Sequence, residues 1–146
     1  MLHQTLAEWW NEAWHKGLWA APWSKAAEGL TPQQAAWKPA AQRHSIWQIV
    51  NHIIFWREDA VARLAGGSAP SEDEIARVNF VEPPQVTDAA WHAARQRLER
   101  SQEALAAALA QPNHSLDRLR FLLPHDCYHF GQIMLLRALQ GLTAIE

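Results

Sequence analysis

His125 and His129 close the segment His125-Asp126-Cys127-Tyr128-His129. On a helix, side chains four residues apart lie one above the other on one face. Two imidazoles so placed could donate to a single metal ion, the same geometric device as the histidine pair of helical zinc proteases. The pair lies between Leu122-Leu123 and Ile133-Met134-Leu135-Leu136. A core-facing imidazole is costly unless both ring nitrogens are satisfied. A metal on one nitrogen and a hydrogen-bond acceptor on the other would satisfy them. By itself the pair is weak evidence, because a chain with eight histidines in 146 residues will sometimes show this spacing by chance. His52 is the third candidate, set among large apolar residues in Ile49-Val50-Asn51-His52-Ile53-Ile54-Phe55-Trp56. A lone histidine there is more often a satisfied core residue than a ligand. Two helices that each offer a buried histidine at mid-length change the balance, because bundles build metal sites from facing helices. Three neutral nitrogens suit zinc, nickel, copper or ferrous iron and leave positions open for water or substrate.

Neighbouring residues are more ambiguous. Asp126 follows the first histidine as a glutamate does in the protease motif, but it is one methylene shorter and reads as a surface or orienting acid rather than a base. Tyr128 and Gln132, each three residues beyond a histidine of the pair, either orient water or substrate or simply pack. Cys127 points away from the pair and reads as a buried structural thiol. His3, His15, His92 and His114 have polar neighbours or lie near helix ends and read as solvated. His44 belongs to the loop before His52, where Arg43-His44-Ser45 could edge a pocket.

The elements that must position these residues are helical. A first helix is expected from Leu2 to about Ala21, with Leu6, Trp9 or Trp10, Ala13 and Gly17 on one face and Pro22 as its break. Leu30-Thr31-Pro32-Gln33-Gln34 reads as a short capped turn with Thr31 as N-cap. Ser45 is the N-cap of a second helix, Ile46 to Leu64, whose apolar stripe is Ile46, Ile49, Ile53, Trp56 and Ala60 and which Gly66-Gly67 end. Residues 66–86, with Pro70, Pro83 and Pro84, read as a long crossover loop. Thr87 opens a third helix, striped by Trp91, Ala94, Leu98, Ser101, Leu105 and Leu109 and stopped by Pro112. Asn113 or Ser115 would cap a fourth, regular from His125 to Leu139, with Pro124 breaking it or marking its first turn. No strand alternation is sustained, so the expected fold is all-α, a four-helix bundle forming one domain over residues 1–146.

Composition narrows the function. Apolar residues make up 49% of the chain, which argues against disorder. The net charge is −2 and no basic block is present, so nothing supplies the phosphate-neutralising footprint of a nucleic-acid binder. No segment approaches the ~20 apolar residues that span a bilayer. One cysteine allows no internal disulfide, and the polar N-terminus does not resemble a signal peptide. A cytoplasmic protein is expected. Nine tryptophans stand out; they fill a helical core and a subunit interface, or some of them wall an apolar pocket over a polar site.

These residues carry a resemblance. Arg43-His44-Ser45-Ile46-Trp47, Asn51-His52 with Trp56, and His125 to Ile133 with the Gly131-Gln132 pair, followed by Leu136-Arg137, resemble the DinB-like (DinB/YfiT) superfamily. The similarity extends over most of the chain, including Leu30 to Trp37 and Pro39. It implies an up-down-down-up four-helix bundle, often homodimeric, and a nickel or zinc ion on His52, His125 and His129. Relatives include mycothiol-dependent isomerases and bacillithiol transferases, which implies a low-molecular-weight thiol cosubstrate and a small-molecule electrophile. A metal-dependent hydrolase and a non-catalytic metal- or ligand-binding stress protein are the alternatives. The tryptophan-rich first helix departs from the family's character.

Overall fold

The computed structural model describes residues 2–112 and 119–145. Seven helices are found among them, with no strand, which bears out the all-α expectation. Four are long: α1 (Leu2–His15), α4 (Ile46–Leu64), α6 (Asp88–Leu109) and α7 (Leu122–Leu139). Three are short: α2 (Trp23–Ala26), α3 (Pro32–Ala36) and α5 (Glu72–Val78). Helix α4 packs most extensively on α6 and also against α7, while α1 lies on α6. One apolar core, including Trp10, Trp47, Ile53, Leu105 and Ile133, runs through all four long helices.

Local chemistry sets most of the boundaries. Ser45 caps α4 as expected: its Oγ accepts from Gln48 N–H and the Gln48 side chain returns a bond to the Ser45 N–H. Thr31 caps α3 in the same reciprocal way with Gln34, and Pro32 occupies the first turn, where no N–H is needed. Thr87 accepts from Ala90 N–H at the start of α6. Helix α4 ends at a left-handed Gly66, with the Gly67 N–H bonded back to the Ala62 carbonyl. Pro124 falls in the first turn of α7, where backbone N–H groups have no helical partner, so the helix tolerates it. The expected caps of α7, Asn113 and Ser115, lie outside the described residues, as does His114.

Two expectations fail. Helix α1 stops at His15, not near Ala21, and Gly17 takes φ +72°, where a Cβ would collide with the Ala20 carbonyl. Glycine therefore ends the helix and does not belong to its apolar face; that face is Leu6, Trp10, Ala13 and Trp14, while Trp9 is exposed. Residues 66–86 are also not a plain loop. Ser71 and Glu74 form a capping box that starts α5, a Ser-x-x-Glu signal lost among the prolines and polar residues around it.

Cap removal at Ser45 tests how far α4 depends on this local chemistry. Ser45→Ala should lower the free energy of unfolding by about 1 kcal/mol, read from the shift in urea midpoint at unchanged slope.

Candidate metal centre

Helix α4 carries His52, and α7 carries His125 and His129. The three rings come together between these helices, with potential ligand atoms all within 4.8 Å of one another. His52 and His129 are buried and His125 is partly buried. The Nε2 atoms of His52 and His125 stand 2.9 Å apart. Two nitrogens bonded at about 2.1 Å to one ion would be separated by about 3.0–3.4 Å at angles near 90–110°, so this spacing is close to what a shared ion imposes.

The other nitrogen of each ring fixes its tautomer. His52 Nδ1 is 2.5 Å from Asn79 Oδ1, His125 Nδ1 is 2.8 Å from Asp126 Oδ1, and His129 Nδ1 is 2.7 Å from Gln132 Oε1. In each case Nδ1–H donates to an oxygen, which leaves the Nε2 lone pair free to donate to an ion. Desolvation by burial, reinforced by the neighbouring histidines and only partly opposed by the Asn79 bond, pulls the His52 pKa down to about 4. Burial also lowers that of His129, against the bond to Gln132. Neutral, oriented imidazoles are the form that binds metal. The donor set thus fits a divalent transition ion, and the three histidines could hold one.

The connection between α4 and α6 closes one side. Asn79, at the C-cap of α5, brings its side chain to His52. Phe80 follows in the left-handed region at φ +53°, an uncommon conformation for a bulky residue. Its ring stacks between His44 and His52, 3.9 Å from each centroid. Gln48 donates to the Phe80 carbonyl and Asn51 to the Val81 carbonyl, so three successive residues are pinned to α4. The pinning holds Phe80 in a backbone conformation that costs energy. The histidines open into a cleft of about 710 Å³ walled by Trp56, Phe80, Phe121 and Leu122, with Arg63 at its edge.

A family model for the DinB superfamily matches residues 20–133. The chain belongs to the DinB superfamily. No curated protein and no solved structure matches it. Within this DinB chain the histidines singled out by sequence come together, whereas the assigned roles of their neighbours shift. Asp126 is fully buried, not a surface acid: its second oxygen accepts from Arg57 Nε at 2.6 Å. Gln132 orients His129 and donates to Tyr128 Oη, so it is already engaged by protein groups. Cys127 is exposed, not buried, because it faces outward from α7; partial desolvation and the Asp126 charge push its thiol pKa up. His44 is exposed and edges a second cleft with Arg43, which favours the pocket reading. His15 and His92 are exposed as expected, while His3 is partly covered. Of the tryptophans, Trp10, Trp14, Trp23, Trp47 and Trp91 are core, and Trp56 walls the histidine cleft.

Arg57, Asn79 and Phe80 were not singled out from sequence. An arginine within an apolar helical stretch was the available signal for the first. Nothing local marks the other two, whose roles depend on how the connection folds back.

Alanine at His52, His125 or His129 should each remove the greater part of bound metal while helix content by circular dichroism stays unchanged. Elemental analysis of the purified variants checks this, and undiminished metal in all three would sink the assignment.

Proposed function

We propose that this DinB-superfamily protein is a metal-dependent enzyme of thiol-transferase type. It would hold nickel or zinc on His52, His125 and His129 and join a low-molecular-weight thiol to a small electrophile. The observation that carries the reading is the convergence of three oriented nitrogen donors at an open apolar cleft. Three protein ligands leave a coordination position open, unlike the closed four-ligand sets of structural zinc sites. When bound, the ion would supply the Lewis acidity that ionises a thiol near neutral pH.

The chain's own residues would do the rest. Asn79, Asp126 and Gln132 hold the rings in register. Trp56, Phe80, Phe121 and Leu122 offer an apolar wall to the electrophile's carbon skeleton and thin the water around it. In the transfer a carbon–sulfur bond forms, the bond from that carbon to its leaving group breaks, and the thiol proton passes to solvent.

In the same reading the four long helices form the up-down-down-up bundle of the family as one domain, and the protein works as a cytoplasmic homodimer on small molecules. Exposed Tyr128, Leu135 and Leu139 on α7 support self-association. Among the described residues no helix is long and apolar enough to cross a membrane.

Incubating the metal-loaded protein with bacillithiol, mycothiol or glutathione and an aryl halide tests the activity by mass spectrometry of the conjugate. The expected result is conjugation that disappears on chelation and in His125→Ala. Conjugation no faster than the buffer control with all three thiols overturns the transferase reading; halide loss without thiol consumption assigns a hydrolase instead.

A further inference from the structure

We infer that Arg57 and Asp126 act as one positioning unit that fixes the tautomer and aim of His125. The inference rests on reading the three histidines as a metal site. Asp126 lies next to His125 in sequence and divides its carboxylate between two tasks. Oδ1 accepts from His125 Nδ1 at 2.8 Å, and Oδ2 accepts from Arg57 Nε at 2.6 Å. Arg57 and Asp126 are both 0% exposed.

Arg57 stands five residues after His52 on α4, roughly 140° round the helix, and so points away from the histidine cleft. Its guanidinium enters a cage of rings: Trp10, Trp14, Trp23 and Phe130 have centroids 5.2, 5.7, 5.9 and 5.8 Å from Cζ. Nη1 reaches Ser101 Oγ only at 3.5 Å, and Nη2 has no hydrogen-bond partner among the described residues. The cage therefore offers the cation aromatic faces and a single short bond to a carboxylate.

As a device for stability alone this is a poor arrangement. Desolvating two charges costs as much as their attraction returns, and apolar replacements of such pairs are often neutral or stabilising. As a positioning device it has a clear effect. A planar guanidinium held by rings cannot swing, so Asp126 cannot rotate, and its free oxygen stays aimed at His125 Nδ1. The three rings are not held alike: neutral amides orient His52 and His129, whereas a carboxylate orients His125. A carboxylate acceptor fixes the orientation of a ligating ring, and at His125 that acceptor is itself held by Arg57. Trp10 and Trp14 belong to α1, before the span matched by the family model. The tryptophan-rich first helix thus serves the site from behind.

The test compares Asp126→Asn, Arg57→Lys and the double variant Arg57→Met/Asp126→Asn, which leaves no lone buried charge. Three readouts are taken: zinc affinity by chelator competition, the nitrogen-15 tautomer signature of His125 in metal-free protein, and thermal unfolding. Asp126→Asn should lose about 10–100-fold in zinc affinity and lose the single Nδ1–H signature, because Arg57 Nε–H claims its one amide oxygen and the NH2 turns to His125. Arg57→Lys and the double variant, whose amide oxygen is free to accept from Nδ1–H, should be intermediate. The near-isosteric single variants carry the test should the double variant not fold. Folded Asp126→Asn and Arg57→Lys proteins with parental affinity and an unchanged His125 spectrum overturn the inference, even if their melting temperatures fall. Failure of the metal reading is separate: the parent would take up no zinc, and the tautomer readout, made without metal, would still decide the positioning claim.

Discussion

Three imidazoles can aim lone pairs at one point only when the proton on each opposite nitrogen is held by an acceptor. That requirement explains more of this structure than the histidines themselves do. It accounts for why Asn79 closes α5, why Asp126 is buried, and why Gln132 turns back along α7. Without those acceptors, burial would leave three polar rings unsatisfied in an apolar wall, each at a cost of about 1–3 kcal/mol. The same burial that makes the rings expensive keeps His52 and His129 neutral, so the cost and the readiness to bind share one origin.

Arg57 extends this logic into the core. Burial pulls its pKa down, and the Asp126 carboxylate pulls the other way. The group remains a cation because its intrinsic pKa is so high. Aromatic faces solvate it where water cannot, and those faces come from α1, α2 and α7. Three of the eight tryptophans in the first part of the chain, Trp10, Trp14 and Trp23, thereby acquire a physical role. Trp47 and Trp91 pack against each other in the core, with the Trp91 indole N–H bonded to the Leu30 carbonyl.

Much of this was legible in the sequence because it rests on local rules. Serine and threonine caps set the starts of α3, α4 and α6, and the apolar stripe of α6 is buried nearly as spacing dictates. The His125/His129 pair needs only helical periodicity, and His52 needs only a buried position on a facing helix. What was not legible depends on conformation or on distant contacts. Gly17 fits an apolar face by spacing, and only its left-handed backbone shows that the helix has ended. Asn79 and Phe80 gain meaning through three bonds to α4 that span about thirty residues of chain. Arg57 reads as one more charge on a helix until four rings are seen to enclose it.

The provenance of the acceptors divides the centre unequally. His125 and His129 take theirs from α7 itself, one and three residues further on, with Arg57 of α4 steadying the first of the two acceptors. His52 depends on a residue delivered by a separate segment. Lifting that segment would free one ring to rotate while the other two kept their alignment. The centre is built as a fixed pincer of two and a third jaw whose bearing is set by the three bonds that tie residues 79–81 to α4.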